Sequence, residues 1–315
     1  MSNKVNIRST DLYVNPIGLG ANAVGGQRFY PNIKDDEGRK LLHTAMEHGV
    51  DFWDTAFSYG PEKSERIIGE VLAETKQRAN IVIATKGAQR YVDGKTVIDN
   101  SPTFLKETVE ASLKRLQTDY IDLFFIHHPD KDTPKYEAVG ALQELKEKGI
   151  IRAIGVSNFS LEQLEEANRD GYVNVVQGHY NLINRKAELD IFPYTEKHQI
   201  SFIPYFPLAS GLLAGKYTKD TTFPEGDLRL RQPHFQGDEF IKQLEKVEQL
   251  REIAISKDVE VAHIVLSWYL TKNAIDAIIP GAKRSEQILS NLRTLDVQLT
   301  KDEIAHIDKM YRVEK

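Results

Sequence analysis

Residues 120–157 read YIDLFFIHHPDKDTPKYEAVGALQELKEKGIIRAIGVS. An almost unbroken apolar run, IDLFFIH (121–127), leads into an amphipathic stretch, PKYEAVGALQELKEKG (134–149), that stops at a glycine. A second apolar run, IRAIGVS (151–157), follows at once. Apolar runs without polar alternation are strands covered on both faces. Strand, helix and strand in that order make a parallel crossover unit.

The alternation continues in both directions. Further apolar runs lie at 16–20, 50–55, 81–86, 173–180, 200–207 and 274–281. Helix-period segments lie at 35–49, 62–75, 101–117, 160–171, 186–198, 238–257 and 284–295. Ser101-Pro102 opens one of them, and Ser160 with Gln163 forms a capping box at another. Eight runs alternating with eight helices predict an α/β fold of the (β/α)8 barrel type. An open doubly wound sheet is the structural rival. The first residues, VNIRSTDLYVNP, carry a polar turn between two short runs and predict a small N-terminal β-hairpin. Residues 1–315 show no repeat and no linker, so one domain is expected. The longest irregular stretch, 209–237, is expected to cover a functional site.

The 315 residues are 41% hydrophobic and 28% charged, with a net charge of −5 and a pI near 6.0. That balance gives no electrostatic reason for a nucleic-acid or anionic membrane partner. There is no cysteine, so disulfides, thiolate chemistry and Cys-ligated metals are excluded. No signal-peptide core and no membrane-length apolar run is present, and a cytoplasmic protein is expected.

Chemistry in a barrel of this kind sits at the C-terminal ends of its strands. Read that way, the runs end on Asp54, Lys86, His127-His128, Ser157-Asn158, Gln177, Tyr205 and Gly281, the last followed by Lys283 and Arg284. Each alone is explained as a cap or a satisfied core group; together they define one rim. A lysine buried at a strand end needs a partner, and Asp54 on the adjacent strand supplies one. An ammonium beside Tyr59 stabilises its phenolate and fits the phenol for proton donation, a contribution of roughly 10²–10⁴ in rate. A neutral histidine beside them holds a carbonyl oxygen. The four suit protonation of an oxygen as it becomes an alkoxide.

GVDFWDTAFSYG, IVIATK, YIDLFFIHHPD, IRAIGVSNF, PYFPLASGLLAGKY and IIPGAKRSEQILSN resemble the aldo-keto reductases, over almost the whole chain. Within them, GLGANAVGG, FPYTEKHQISFIPYFPLASGLLAGKYTKDTTFPEGDLR and IPGAKR resemble the bacterial IolS-type reductases. The resemblance implies NADP(H)-dependent reduction of small aldehydes or ketones, sugar-like ones included. It makes Tyr59 the proton donor, tuned by Lys86 and Asp54, with His127 orienting the carbonyl. His128 stands where many members have a bulky aromatic and, with Trp53 and Tyr59, is expected to shape the substrate pocket.

The resemblance also implies a set of cofactor residues. Ser157, Asn158 and Gln177 hold the carboxamide, Tyr205 stacks on the nicotinamide, and Gly20, Ala21 and Asp54 lie near it. Phe206, Pro207, Leu208, Ser210, Gly211, Leu213 and Lys216 belong to the segment around the pyrophosphate. Gly281, Lys283, Arg284, Gln287 and Asn291 lie at the adenosine end. Two cations before a helix suit a 2′-phosphate, which favours NADP(H) over NAD(H).

Two motifs are decoys. GLGANA (18–23) satisfies the dinucleotide fingerprint, but AVGGQRFYPN follows and cannot open a helix. GLLAGKY (211–217) is one residue short of a P-loop and lacks its hydroxyl. The nine histidines suggest no ligand set, because adjacent His127 and His128 would point to opposite faces of a strand. Two other functions fit parts of the pattern. One is an NADPH-binding regulatory or sensing protein of the channel β-subunit kind. The other is an aldolase using Lys86 as a Schiff base. Oligomeric state is not written in the sequence.

Overall fold

The computed structural model describes residues 4–25, 33–92 and 94–312. In chain order it has a hairpin, β1 (Val5–Asn6) and β2 (Tyr13–Val14), then β3 (Leu19–Gly20), α1 (Asp35–Glu47), β4 (Phe52–Asp54) and α2 (Lys63–Thr75). β5 (Val82–Gly87) leads into a second hairpin, β6 (Gln89–Val92) with β7 (Lys95–Ile98). α3 (Pro102–Leu116), β8 (Ile121–Ile126), α4 (Lys135–Glu147), β9 (Ile151–Ser157), α5 (Leu161–Ala167), β10 (Val175–His179), α6 (Ile191–Lys197) and β11 (Ser201–Tyr205) follow. The chain ends through α7 (Gly237–Ser256), α8 (Val261–Tyr269), α9 (Ser285–Leu292) and α10 (Lys301–Met310).

Seven strands form one parallel sheet in the order β11-β10-β9-β8-β5-β4-β3. Residues 274–281 close it. Ile278 and Gly281 bridge Ile17 and Gly20 in parallel, and the Phe202 amide donates to Ala274 O at 2.9 Å. The fold is therefore the (β/α)8 barrel, not the open sheet. The eighth segment pairs sparsely because Pro280 has no N–H to give.

The helices start where the sequence puts their caps. Ser101 Oγ accepts from the Phe104 amide, with Pro102 in the first turn of α3. Ser160 and Gln163 cap α5 reciprocally. Two helices are additional to the sequence reading. α8 is buried at every residue, so it shows no apolar stripe; α10 opens on a Thr300–Glu303 capping box. The predicted helix over 186–198 is a 3-10 turn (Lys186–Glu188) followed by α6.

Alternation along the strands separates two cores. Phe52, Ala84, Leu123, Phe125, Ala153, Val175, Ile203, Ala277 and Ile279 fill the barrel, and Ile7, Leu12 and Val14 of the N-terminal hairpin plug its lower mouth. Arg8 fastens that plug, bonding Asp276 Oδ1 through Nε at 3.0 Å. Gly155 is required inside: a Cβ there would sit 2.2 Å from Phe125 Cδ1. The other strand faces carry Trp53, Ile83, Phe124, Ile154, Val176 and Phe202 to the helices. Among the described residues no helix is long and apolar enough to cross a membrane.

Candidate active site

Each inward column of the barrel changes from apolar to polar at its C-terminal end. Phe52 is followed two residues on by Asp54, Ala84 by Lys86, Phe125 by His127, Val175 by Gln177 and Ile203 by Tyr205. A period of two points Asp54, Lys86, Gln177 and Tyr205 into one mouth, and His127, one residue past β8, meets them there through the Tyr59 ring. The strand pairing then sets the neighbours: Asp54 lies opposite Ala84 on β5, and Gln177 opposite Ser157 on β9.

Lys86 and Asp54 are fully buried. Lys86 Nζ donates to Asp54 Oδ1 at 2.5 Å and to Thr55 O at 2.8 Å. Gln177 Nε2 donates to Asp54 Oδ2 at 2.9 Å. The ammonium lies 5.1 Å from the centroid of the Tyr59 ring. The Tyr59 and His127 rings meet edge to face, their centroids 6.4 Å apart. Burial pulls the Lys86 ammonium below its ordinary range, and the Asp54 carboxylate works against that pull. Burial, then Lys86, then His128 hold His127 well below the usual imidazole range, so it is neutral at pH 7. Its Nδ1 is buried without a hydrogen-bond partner among the described residues.

Two asparagines fix the loop that carries the histidines. Asn158, at a left-handed φ of 63°, donates to His127 O at 2.9 Å and accepts from the Tyr205 hydroxyl at 2.8 Å. Asn100 Nδ2 donates to His128 O at 3.1 Å, and its Oδ1 accepts from the Asp130 amide at 2.8 Å. The His127 and His128 rings are stacked, 4.8 Å apart at 17°. They lie beyond the last residue of β8, so the opposite-face rule for strand neighbours does not reach them.

One pocket assignment needs correction. Trp53 is fully buried in the layer between sheet and helices, its Nε1 donating to Val50 O at 2.8 Å. It stands next to Asp54 on the strand, so it points away from the mouth that Asp54 faces.

The residues expected to hold a cofactor sit at strand ends and in the segments that follow them. Gly20 bridges Gly281, and Ala21 O accepts from Ser64 Oγ at 3.0 Å. After β11 the backbone is left-handed at Phe206, Ala209, Ser210 and Gly211, the kind of turn whose amides form an anion-binding concavity. Pro207 and Leu213 are buried anchors; Pro207 O accepts from the Tyr269 hydroxyl at 2.7 Å. Leu208 and Ser210 are half-buried, and Lys216 is exposed. Lys283 and Arg284 immediately precede α9, the Lys283 amide donating to Gln287 Oε1 at 2.8 Å; Asn291 is buried further along that helix.

Other polar residues packed beside these segments were not singled out in the sequence. Arg229 grips Asp227 with two nitrogens, at 2.8 and 2.5 Å, and bonds the Tyr217 hydroxyl at 2.6 Å. Tyr217 donates in turn to Ser210 O at 2.9 Å. Residues 217–229 are thereby tied to the segment expected to hold a pyrophosphate, and Arg229 holds the Asp227 carboxyl at about 2. His179, one column step beyond Gln177, stacks on Tyr205 at 5.4 Å and 8°. The signal for His179 was the same period of two.

The aldo/keto reductase family model matches residues 16–312. The chain is 35% identical to aldo-keto reductase YhdN of Bacillus subtilis (strain 168), over 90% of this chain and 85% of that protein. It is 30% identical to the NADH-specific methylglyoxal reductase of Escherichia coli (strain K12), over 94% of each. The structure of the glycerol dehydrogenase AKR11B4 from Gluconobacter oxydans superposes with a TM-score of 0.91 at 34% identity, covering 98% of this chain and 95% of that one.

Proposed function

The chain belongs to the aldo/keto reductase family and is an oxidoreductase that uses a nicotinamide cofactor; on that premise we propose that it reduces small aldehydes and ketones, sugar-like ones among them, with NADP(H) preferred. The resemblance of its motifs to those of the bacterial IolS-type reductases supports that reading. The observation that carries the reading is the junction of Asp54, Lys86, Tyr59 and His127 at one mouth.

The residues fit the cofactor. His127 Nδ1, buried and without a hydrogen-bond partner among the described residues, suits the reacting end, the left-handed residues Phe206, Ala209, Ser210 and Gly211 suit a pyrophosphate, and Lys283 and Arg284 precede the positive end of α9. A bound reduced nicotinamide supplies the hydride that attacks the carbonyl carbon. The chain supplies the rest. Neutral His127 directs the carbonyl oxygen toward Tyr59. As the C=O bond opens, the oxygen takes the Tyr59 hydroxyl proton and leaves a phenolate, which the Lys86 ammonium stabilises and solvent reprotonates. Asp54 keeps Lys86 charged and in place. Ser157, Asn158 and Gln177 would hold the carboxamide and Tyr205 the ring, and Lys216 with residues 217–229 would cover the phosphates. His128 lines the substrate side.

Cofactor choice differs among relatives, since the Escherichia coli protein is named as NADH-specific. Here the preference for NADP(H) rests on Lys283 and Arg284. The test is oxidation of NADPH and of NADH over a panel of aldehydes and ketones. Turnover with NADPH in excess of NADH supports the reading. Tight NADPH binding without turnover of any carbonyl contradicts it and leaves a sensing role.

A further inference from the structure

Behind Lys86 lies a second buried carboxylate that the reaction as described does not use. Glu65, in the first turn of α2, is completely buried. Its Oε1 accepts from Thr85 Oγ1 at 2.6 Å and its Oε2 from Arg115 Nε at 2.5 Å. Arg115, on α3, also donates to Ser112 Oγ at 3.1 Å and lies 3.5 Å from the Glu62 carboxylate. Its guanidinium is 5.5 Å from the centroid of the Phe57 ring. Thr85 is the residue before Lys86, so the two side chains leave β5 on opposite faces. Next to Glu65, Ser64 accepts from Thr55 Oγ1 at 2.8 Å and donates to Ala21 O at 3.0 Å.

These bonds converge on the short loop that carries Tyr59. Thr55 begins it, and Ser64 and Glu65 end it. A helix packed on a barrel strand ordinarily buries an apolar side chain there, and replacing a buried ion pair by apolar residues is often neutral or stabilising. A carboxylate, an arginine and a threonine in that place are a poor choice for stability alone.

We propose that Glu65 is a positioning residue of the reaction. With Thr85 and Arg115 it locks the Tyr59 loop against the strand of Lys86 and sets a second negative charge behind the Lys86 ammonium. This rests on the reading that Tyr59 donates the proton under the influence of Lys86. The groups on the Lys86 side of the strand are Asp54 from β4, Tyr59 from the loop after it and His127 from the end of β8, while Glu65 from α2 lies across β5 on the Thr85 face. Arg115 and Glu62 stand behind Glu65, and His128 behind His127. Burial depresses the Lys86 ammonium, and both carboxylates oppose it, Asp54 more than Glu65.

The test compares pH profiles of kcat/KM for carbonyl reduction, with melting temperatures, in wild type, Glu65→Gln, Thr85→Val and Tyr59→Phe. Removing the Glu65 charge lets both Lys86 and Tyr59 lose their protons more easily. The alkaline limb of Glu65→Gln therefore moves to lower pH. Thr85→Val removes an anchor but no charge, so it lowers the melting temperature and leaves the limb in place. Should Glu65→Gln not fold, Glu65→Gln/Arg115→Met is measured instead. It removes both buried charges, and its limb also moves down because Glu65, and not Arg115, is among the charges that act on the Lys86 ammonium. An unmoved limb in the variant measured, with Tyr59→Phe inactive, overturns the inference alone. Wild-type turnover by Tyr59→Phe overturns the reading beneath it.

Discussion

Lys86 Nζ lies 2.5 Å from Asp54 Oδ1, and solvent reaches neither side chain. Removing one partner of a buried pair leaves an uncompensated charge, at a loss of about 3–5 kcal/mol. Asp54→Asn therefore lowers the denaturation midpoint strongly and lets Lys86 lose its proton at lower pH. Removing both charges with Asp54→Leu/Lys86→Met recovers much of the stability but no activity. Urea denaturation of the three variants beside turnover checks both parts.

Acid sensitivity follows from the histidines. His127, His128, His179, His234 and His263 all titrate below the ordinary imidazole value, chiefly because burial disfavours their charged forms. As pH falls through about 6.5 the unfolded chain takes up protons that the folded chain does not. Stability is then lost, at up to about 1.4 kcal/mol per pH unit for a buried ring such as His263 and at less for the exposed His179. Urea midpoints at pH 7.5 and at pH 5.5, values chosen to straddle about 6.5, should differ clearly. His127→Asn should reduce the difference. Equal midpoints would contradict the burial of these rings.

Asn100 holds the histidine loop through His128 O and Asp130. Asn100→Ala should cost about 1–3 kcal/mol, as for a buried hydrogen-bonding group left without its partner. It should also lower kcat while cofactor affinity stays unchanged, because its bonds reach the carbonyl side of the mouth and not α9. Calorimetric cofactor titration beside steady-state kinetics separates the two.

Lys283→Ala and Arg284→Ala test the adenosine end. Each charge-assisted contact with a 2′-phosphate is worth about 1.5–3 kcal/mol. Each variant should therefore weaken NADPH by about tenfold or more and NADH little, with the difference shrinking in high salt. Equal loss for both cofactors in fluorescence titration would move the phosphate contact elsewhere, with Arg229 and Lys216 the next residues to examine.

The barrel was legible because parallel strands buried on both faces leave apolar runs, and 120–157 shows one whole crossover unit. The rim was legible for a related reason: polar residues that continue an inward column, such as Lys86 after Ala84, have no other reason to be there. The same period of two rules Trp53 out of the pocket, since its neighbour Asp54 already faces in. α8 was illegible because it is buried on every side and so shows no polar face. β6 and β7 were illegible because they are largely exposed and carry no alternation. The Glu65–Arg115 pair and the Asp227–Arg229 grip join residues that read, in sequence, as ordinary helix and loop charges.

The central claim is that one phenol, beside one buried ammonium, delivers the proton. The most direct measurement is the single-turnover rate of NADPH oxidation by an aldehyde in wild type and Tyr59→Phe, with cofactor affinity measured in both. The account predicts unchanged NADPH affinity and a rate lower by roughly 10²–10⁴. A Tyr59→Phe rate within a few-fold of wild type would contradict it.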